Sequence, residues 1–460
     1  MTTLSATTHT AYVQKPRYHA YTVRNFREIP HVQEHLSDEQ RFAIEVVAQV
    51  LPFKTNNYVV EQLIDWDRVP GDPIFTLTFP QREMLKPADF DRIAQLLRDG
   101  APRDQVEAAA NEIRFSLNPH PAGQLEHNVP IVDDTRLSGM QHKYEETVLF
   151  FPSSGQTCHA YCTFCFRWPQ FVGIDELKFA MKETRDLVRY LEDHPRVSDV
   201  LITGGDPMVM RTRKFATYIN GILEADPTNL KTIRIGTKAL GYWPYRFTTD
   251  DDADELLDIF RRIVASGRHL AIMAHFNNPA ELRTPAVREA IRRIRSTGAQ
   301  IRTQSPLMRN INDDAATWAT MWREQVRLGL VPYYMFVARD TGAKHYFEVP
   351  LVRAWEIFRD AYAQVSGVAR TVRGPSMSAD PGKVAVMGTT EVNGEKVIAL
   401  TMLQGRNPDW VMRPFFARYD EHATWLDELE PAFGEDKFFF EDELARRYAE
   451  DEAKLATIRS

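Results

Sequence analysis

The stretch CHAYCTFC at residues 158–165 contains every cysteine of this 460-residue chain: Cys158, Cys162 and Cys165. Cysteines that only fill a core behave as small buried hydrophobes and need no clustering, so three in one loop indicate a binding site. Three thiols are an odd number and cannot all pair as disulfides. The spacing of three residues and then two therefore predicts a metal centre.

Two kinds of metal centre fit three clustered cysteines. Zinc takes four ligands, and His159 is the nearest candidate for the fourth, but it directly follows Cys158, so the two would converge on one ion only across a tight turn. A four-iron cluster takes four thiolates, so three leave one iron open. An open metal position indicates chemistry at the metal. The iron–sulfur cluster is therefore favoured, with zinc as the alternative.

The composition is that of an ordinary globular protein, with 43% hydrophobic and 26% charged residues. The net charge of −7, with both signs well mixed, gives no electrostatic reason to expect nucleic acid or an anionic membrane as a partner. No run of 18 apolar residues is present, and the first residues lack the apolar segment of a secretory signal. We therefore expect a cytoplasmic protein.

Strand and helix patterns alternate in the middle of the chain, between residues 139 and 370. Short apolar runs that end in polar or glycine residues are followed by amphipathic segments, several of which end in glycine. This alternation predicts an α/β fold with a parallel sheet, and six repeats predict a six-stranded partial (β/α) barrel. Functional residues of such a barrel lie at the C-terminal ends of its strands. The predicted strands are 148–151, 199–205, 232–237, 269–276, 299–307 and 331–338.

Extensions are predicted on both sides of the barrel. Before it, Ser37 and Gln40 have the spacing of a capping box, which marks the start of an amphipathic helix. After it, Asn393-Gly394 predicts the turn of a β-hairpin. The predicted parts are a disordered lead (1–25), a helical region (26–138), the barrel (139–370) and a C-terminal extension with the hairpin and a helical tail (371–460).

The cysteine spacing, with the aromatic Phe164 before the third cysteine, resembles the signature of radical S-adenosylmethionine (SAM) enzymes. The resemblance implies a [4Fe–4S] cluster held by Cys158, Cys162 and Cys165, with SAM chelated at the open iron. It also implies reductive cleavage of SAM to a 5′-deoxyadenosyl radical, with a reduced flavodoxin- or ferredoxin-type electron donor as a partner. In such enzymes the cluster loop follows the first barrel strand, as predicted here for 148–151.

Further blocks resemble the lysine 2,3-aminomutase family, in order along residues 110–410. The resemblance implies an isomerase that combines the radical chemistry with pyridoxal 5′-phosphate (PLP) and moves the α-amino group of an amino acid to its β-carbon. Known members tend to be oligomers, some with zinc held between subunits by extra cysteines, so a homo-oligomer here would have to rely on other contacts. The blocks are HKYEETVLF (142–150), VSDVLITGGDP (197–207), IRIGTKA (233–239), AHFNNPAEL (274–282), QSPLMRNIND (304–313) and VPYYMFV (331–337).

The resemblance also assigns contacts to the cofactors. Lys383, on a predicted loop of the C-terminal extension, stands where the family has the lysine that carries PLP, although the family's glycine run is reduced here to Pro381-Gly382. Such a lysine has to lose its proton, so we expect it to be partly desolvated. Lys143 and Tyr144 stand where the family has Arg-Tyr near the cofactor phosphate, and a lysine lacks the bidentate fork of arginine. The implied SAM contacts are Gly204, Gly205 and Asp206 at its amino end, and the strand-end residues His275, Asn277, Gln304 and Ser305 at SAM or the shared pocket.

The resemblance implies a substrate site as well. Arg167, two residues after Cys165, stands where the family has the arginine that pairs with the substrate α-carboxylate. Lysine-specific members hold the substrate ammonium with two aspartates, and here Arg339 and Ser376 align with them. A buried arginine disfavours an ammonium and favours a carboxylate, so L-glutamate, giving β-glutamate, is the predicted substrate. A one-residue slip would instead make Asp340 the first anchor, and a gap would make Asp380 the second. Both changes together would restore a lysine site.

Other functions stay open on the sequence alone. The chain could be a 2,3-aminomutase for lysine or another amino acid. The altered run before Lys383 also leaves room for a radical SAM enzyme of the same ancestry that works without PLP. A non-catalytic iron–sulfur or zinc protein ranks last, because the Gly-Gly-Asp and Arg167 matches would then be coincidental.

Overall fold

One sheet of eleven strands forms the centre of the computed structural model, which describes residues 15–124, 127–132, 135–174, 180–182 and 184–459, with side chains to residue 453. The sheet runs without interruption from β5 to β15, and two small two-stranded sheets, β1–β2 and β3–β4, lie outside it. The strands are β1 (Ala20–Thr22), β2 (Lys54–Asn56), β3 (Ile131–Val132), β4 (Thr135–Arg136), β5 (Met140–Tyr144), β6 (Thr147–Phe150), β7 (Asp199–Ile202), β8 (Thr232–Thr237), β9 (His269–His275), β10 (Gln300–Leu307), β11 (Val331–Val337), β12 (Arg373–Ser378), β13 (Gly382–Val392), β14 (Glu395–Gly405) and β15 (Pro414–Arg418).

The middle of the large sheet is parallel and its two ends are antiparallel. Strands β6 to β12 run parallel to one another, whereas β5 and β13 to β15 are antiparallel to their neighbours. The six predicted strands are confirmed as β6 to β11, within a few residues at each end. β12 was missed because its sequence, RGPSMS, contains Gly and Pro, which are depleted in strands. The fold is mixed α/β on a long mixed sheet, and the six-stranded partial barrel stays a prediction.

The two ends of the sheet lie close to each other. β14 contacts β5, and Nζ of Lys143 on β5 donates a hydrogen bond of 2.5 Å to the carbonyl of Ala379, between β12 and β13. Arg406, directly after β14, donates from Nη2 to Oδ1 of Asn128 at 2.7 Å. The C-terminal strands therefore pack against the start of the sheet rather than forming a separate unit.

Helices alternate with the parallel strands and cover the sheet, as the sequence pattern predicts. In α11, for example, Val287, Ala290, Ile291 and Ile294 are buried on one helix face, and Thr284 caps the helix by accepting from the Val287 amide at 3.2 Å. The helices are α1 (Pro30–His35), α2 (Asp38–Val50), α3 (Asn57–Gln62), α4 (Pro73–Thr78), α5 (Pro87–Arg98), α6 (Arg103–Ser116), α7 (Arg185–Asp193), α8 (Thr212–Ala225), α9 (Ala239–Tyr242), α10 (Ala253–Ala265), α11 (Pro285–Arg295), α12 (Ala315–Arg327), α13 (Lys344–Phe347), α14 (Leu351–Ala363) and α15 (Glu441–Arg459).

The N-terminal region is mainly helical, as predicted, and has a hydrophobic core of its own. The capping box at the start of α2 is confirmed: Ser37 Oγ accepts from the Gln40 amide at 3.2 Å, and Gln40 Oε1 accepts from the Ser37 amide at 2.8 Å. This core also includes Ala160 from the cysteine loop and Trp243, so the helical region packs directly on the predicted metal site.

The prediction of a disordered lead over residues 1–25 is wrong for part of that segment. Residues 1–14 lie outside the described part of the chain, but β1 pairs antiparallel with β2. Tyr18 anchors the lead, because its hydroxyl donates to the carbonyl of His159 at 2.7 Å and its ring meets that of Trp243 edge-on. The aromatic residues of the lead thus make it part of the cover over the cysteine loop, although its polar composition suggested disorder.

The C-terminal hairpin is confirmed, with Asn393 and Gly394 both at positive φ between β13 and β14. The predicted helical tail is α15. Among the residues that the structure describes, no helix has both the length and the apolar character needed to cross a membrane.

Candidate active site

The cysteine loop follows β6 and is held in place by the N-terminal region. Lys54 on β2 donates from Nζ to the carbonyl of Cys158 at 2.6 Å, and its own carbonyl accepts from the Tyr161 amide at 2.7 Å. Thr163 donates from its amide to the carbonyl of Leu77 at 2.9 Å. These contacts fix the backbone of the loop on both sides of Cys162, so the N-terminal helices position the thiols.

The three cysteine sulfurs are spaced more widely in this structure than one shared zinc ion requires. In the described chain, the set of metal-ligating atoms that lie within 4.8 Å of one another is His31, Glu34 and His35, and the cysteine sulfurs do not form such a set. A mononuclear zinc with 2.3 Å bonds would need its sulfurs about 4 Å apart. A four-iron cluster, which spreads its thiolates over separate irons, fits this wider arrangement.

Burial makes these thiols poor acids on their own. It raises the pKa of Cys165 to about 11 and that of Cys162 to about 12, and it raises the pKa of Cys158 as well. The Sγ of Cys162 also lies 3.1 Å from the hydroxyl of Tyr242. Thiolates at these positions need the positive charge of a metal centre, which is how buried cysteines serve as metal ligands.

Gly204 and Gly205, at the end of β7, lie directly against the segment that precedes Cys158. A Cβ on Gly205 would approach the backbone N and O of Thr157 to 2.5 Å, and one on Gly204 would collide with the side chain of Gln156. Gly204 also has a φ of +146°, a backbone angle that residues other than glycine rarely adopt. Both glycines are therefore needed for the strand end to meet the cysteine loop.

Asp206 is buried and its carboxylate is already saturated by the protein. It accepts from the hydroxyl of Thr237 at 2.7 Å and from the amides of Lys238 and Met208 at 2.8 and 2.9 Å. Burial raises the pKa of this carboxyl to about 6, against the effect of these hydrogen bonds. The carboxylate of Asp206 thus bridges the ends of β7 and β8, and its contact with SAM stays a prediction.

The four predicted residues on β9 and β10 come together in two pairs. The amide of Gln304 donates to Nε2 of His275 at 2.7 Å, and burial lowers the pKa of His275 to about 3, so the ring is neutral. Asn277 donates from Nδ2 to Oγ of Ser305 at 2.7 Å, and both residues are buried. The Oδ1 of Asn277 has no hydrogen-bond partner among the described residues, which marks it as an acceptor available to a ligand.

A buried ion pair beside the cysteines was missed by the sequence interpretation. Nζ of Lys238 lies 2.5 Å from Oε1 of Glu281, whose side chain is fully buried, and Lys238 also contacts the ring of Tyr242 at 4.4 Å. Glu281 accepts from the amide of Asn277 as well. The spacing Asn278-x-x-Glu281, a capping box, was a signal for this turn but not for its closeness to the cysteine loop.

Lys383 lies on β13, half-buried against aromatic rings, and not on an exposed loop. Its Nζ donates to Oε1 of Gln404 at 2.9 Å and lies 4.3 Å from the ring centre of Tyr334 and 5.8 Å from that of Tyr144. Burial, helped by two nearby arginines, lowers the pKa of Lys383 to about 7. The preceding Gly382 is required by β14, because a Cβ there would collide with the carbonyl of Gln404.

Positive charge is concentrated around Lys143. Burial and then the charges of Arg406 and Arg339 lower the pKa of Lys143 well below its ordinary value, and Lys383 adds to the effect. Asp380 is the nearby carboxylate that opposes it. Half-buried cations grouped in this way can bind an anionic ligand.

A cavity of about 600 Å³ opens beside this cationic group. It lies at the gap where β5 meets the end of β14, and it is partly covered by α15. Its wall includes Lys143, Tyr144, Asn128, Arg406 and Tyr448.

Arg167 and Arg339 connect the cysteine loop to this cationic group. Both guanidinium groups flank the ring of Phe166, at 4.9 and 5.4 Å from its centre. Burial lowers the pKa of Arg167 to about 9, with Arg339 adding a like charge and Cys165 opposing it. Arg167 and Arg339 thus both contact Phe166 of the cysteine loop, and the charges of Arg339 and Lys383 act on Lys143. That these residues form one active site stays a prediction.

The structure distinguishes Arg339 from its neighbour Asp340. Arg339 lies against Phe166 and Trp425, and its Nη2 has no hydrogen-bond partner among the described residues. Asp340 accepts from Nδ2 of Asn118 at 3.2 Å and faces Nε of Arg339 at 3.5 Å. The Oδ1 of Asp340 likewise has no hydrogen-bond partner among the described residues, so both side chains carry a polar atom that a ligand could meet.

Ser376 lies on β12, opposite Phe336 of β11. It is fully buried, and its Oγ has no hydrogen-bond partner among the described residues. Arg339 follows β11, three residues after the partner of Ser376, and a shared substrate contact of the two residues stays a prediction.

Comparison with known proteins identifies the family. A putative L-lysine 2,3-aminomutase of Aquifex aeolicus is 30% identical over 359 residues, which is 78% of this chain and 83% of that protein. The chain belongs to the lysine 2,3-aminomutase family of radical SAM enzymes. The L-lysine 2,3-aminomutase of Clostridium subterminale is 25% identical over 59% of this chain and 62% of its own length. That of Fusobacterium nucleatum is 27% identical over 52% of each.

Lysine 2,3-aminomutases use a [4Fe–4S] cluster, SAM and PLP. No family model matches the chain. Among solved structures, a radical SAM methyltransferase from Sphaerobacter thermophilus covers 63% of this chain and 94% of its own, with 14% identity and a TM-score of 0.34. A likeness this low carries no inference.

Proposed function

We propose that this member of the lysine 2,3-aminomutase family moves the α-amino group of an amino acid to its β-carbon. One observation carries the proposal: Lys383 is a half-buried lysine with a pKa of about 7, and it lies in the same cationic region as Arg167 of the cysteine loop. About half of such a lysine is free amine at pH 7, which can form the covalent bond to PLP. A radical SAM enzyme that works without PLP has no need for a lysine with a lowered pKa.

The described residues fit the three cofactors of the family. Cys158, Cys162 and Cys165 would hold the cluster, and the strand end at Gly204 and Gly205, with the free Oδ1 of Asn277, would receive SAM. Lys383 and Lys143 would hold PLP. Bound together, these groups supply radical formation and delocalisation, and the first electron would come from a flavodoxin- or ferredoxin-type donor.

The protein's own tasks are to hold the substrate and to keep water out. Arg167 would pair with the α-carboxylate, since a guanidinium matches a carboxylate with two hydrogen bonds. Its pKa is lowered by burial, so an anion there would relieve the cost of the buried charge. The N-terminal helices and the lead cover the cysteine loop from outside, which excludes water from the reaction.

The side-chain end of the substrate would meet Arg339 and Ser376. Because Nη2 of Arg339 has no hydrogen-bond partner among the described residues, a carboxylate is the complementary group, which favours L-glutamate. The names of the relatives favour L-lysine instead. An ammonium at this point would face Arg339 as well as Lys143, which weighs against lysine.

Borohydride reduction tests the two-cofactor site. The anaerobically reconstituted protein is supplied with PLP, reduced and digested, and Lys383 is expected to carry a pyridoxyl group by mass spectrometry. A Lys383→Met variant is the control. Cluster binding and SAM cleavage without an adduct at this residue would show a radical enzyme of another kind.

Turnover of L-glutamate and L-lysine, each followed by chromatography of the β-amino acid product, tests the substrate. We expect wild type to convert glutamate, and Arg339→Asp to lose that activity. Arg353→Asp, an exposed arginine paired with Glu356 on α14, is the matched control. Conversion of lysine alone by wild type would contradict the assignment of Arg339.

A further inference from the structure

Tyr242 is a buried tyrosine beside the cysteine loop that the sequence interpretation did not single out. It ends α9, only 1% of it is exposed, and its carbonyl accepts from Nδ2 of Asn56 at 3.0 Å. The same amide group donates to the carbonyl of His159 at 3.1 Å. Asn56 thus links the backbone of Tyr242 to the backbone of the cysteine loop and fixes the distance between them.

The side chain of Tyr242 contacts both an ion pair and a cysteine. Nζ of Lys238 lies 4.4 Å from the centre of its ring and 2.5 Å from Oε1 of Glu281, whose side chain is fully buried. Gly241 leaves room for this carboxylate, because a Cβ there would approach Oε1 of Glu281 to 2.6 Å. The hydroxyl of Tyr242 lies 3.1 Å from Sγ of Cys162. Contacts to the ring and to the backbone therefore fix the hydroxyl next to this sulfur.

The hydrogen bond between Tyr242 and Cys162 has one direction when Cys162 ligates iron. A ligating cysteine is a thiolate, which has no proton and can only accept a hydrogen bond. The tyrosine hydroxyl has one proton, so it is the donor. Hydrogen bonds to an ionised acceptor are stronger than those between neutral groups, and burial strengthens them further.

We propose that Tyr242 donates a hydrogen bond to the Cys162 thiolate and thereby raises the reduction potential of the cluster. Reduction adds one electron from the flavodoxin- or ferredoxin-type donor, so the ligand sulfurs become more negative and accept the hydrogen bond more strongly. The proton stays on Tyr242, and no bond of the protein forms or breaks. Hydrogen bonds to the sulfurs are among the factors that set the potential of an iron–sulfur cluster. Tyr242 is thus a positioning residue that acts through Cys162.

The inference rests on the cluster ligands of the proposed function, and it is independent of PLP and of the substrate. A redox titration tests it. Full-length wild type and Tyr242→Phe are reconstituted anaerobically with iron and sulfide and reduced stepwise without SAM, while electron paramagnetic resonance follows the reduced cluster. Phenylalanine keeps the ring and removes the donor, so iron and sulfide contents should equal those of wild type. We expect the midpoint potential to fall by about 59 mV, which is a tenfold change in a one-electron equilibrium.

Tyr218→Phe is the matched control. Tyr218 on α8 is as deeply buried as Tyr242, Nζ of Lys214 lies 5.6 Å from its ring centre, and its hydroxyl has no hydrogen-bond partner among the described residues. Its removal should leave the midpoint at that of wild type. If Tyr242→Phe binds too little iron to be titrated, 3-fluorotyrosine at position 242 keeps the hydroxyl and makes it a stronger donor. That replacement should raise the midpoint.

Three results would overturn the role of Tyr242. They are a fully loaded Tyr242→Phe with the midpoint of wild type, an equal shift in Tyr218→Phe, and a midpoint that 3-fluorotyrosine leaves unchanged or lowers. A wild type that binds no four-iron cluster would instead refute the cluster assignment of the proposed function, and the inference with it.

Discussion

Replacing Gln404 by glutamate tests whether Lys383 is kept uncharged by its surroundings. Lys383 has a pKa of about 7 instead of 10.5, so about half of it is free amine at pH 7. An ordinary lysine would be about 0.03% free amine at that pH. Gln404 accepts from its Nζ at 2.9 Å and is neutral. The amide therefore orients the amine without adding a negative charge that would favour the ammonium.

A carboxylate at the position of the Gln404 amide would favour the ammonium. An opposite charge at this distance raises a lysine pKa by about 1 to 3 units. The pKa of Lys383 would then be about 8 to 10, and the free amine at pH 7 would fall about 5- to 500-fold. The rate at which PLP forms its covalent adduct should fall by the same factor at pH 7 and approach that of wild type near pH 10.

The assay is stopped-flow absorbance of the PLP adduct between pH 6 and pH 10. Gln404→Met, which has a similar shape but no charge, is the control, and its midpoint should stay near that of wild type. An unchanged midpoint in Gln404→Glu would refute the argument that local charge sets the reactivity of Lys383. A loss of rate that high pH does not restore would point to a distorted strand instead.

Three further changes test the cysteine loop and its supports. Cys165→Ser should reduce bound iron and sulfide and abolish SAM cleavage, while far-UV circular dichroism of the apo-protein stays unchanged; full iron loading would contradict the three-cysteine cluster. Gly205→Ala should lower the free energy of unfolding by about 1 to 3 kcal/mol and abolish SAM binding in calorimetry, because its Cβ meets the Thr157 backbone at 2.5 Å. Gly367→Ala, with open space around it, should be neutral. Asp206 has a folded-state pKa of about 6, above its ordinary 3.8, so its contribution to stability is present below about pH 4 and is lost as the pH rises through 6. Asp206→Asn has no carboxyl group to titrate, so its free energy of unfolding does not fall in this way. The amount by which this free energy, measured by urea unfolding, lies below that of wild type should shrink by up to about 3 kcal/mol from pH 4 to pH 8. A difference that stays the same at both pH values would contradict the shifted pKa.

Periodicity predicted the parallel part of the sheet well, because buried parallel strands are continuous apolar runs that contrast with amphipathic helices. It failed at RGPSMS of β12, where a strand contains Gly374 and Pro375. Pairing of β12 with β11 and β13 outweighs the low strand propensity of glycine and proline there. For the same reason Lys383 was expected on a loop, although β14 holds it in a sheet.

Residues that act through distant partners could not be recognised from the sequence. Arg406 and Asn128 are 278 positions apart, and no local pattern indicates that the two ends of the sheet meet. Lys238 and Glu281 likewise lie on separate turns that only the tertiary fold brings together. The sequence could identify Asp206 by its motif, but the saturation of its carboxylate by Thr237 and two amides depends on the position of β8.

The support of the cysteine loop by Lys54 and Leu77 has a consequence for how this chain can be divided. The predicted barrel, residues 139–370, contains all three cysteines but neither the backbone that fixes their loop nor the lysine at position 383. An excised barrel would keep the thiols and lose the contacts that fix their loop, and it would lack Lys383, the proposed carrier of the second cofactor. The proposed activity would therefore need the N-terminal helices, the barrel and the C-terminal strands together in one chain.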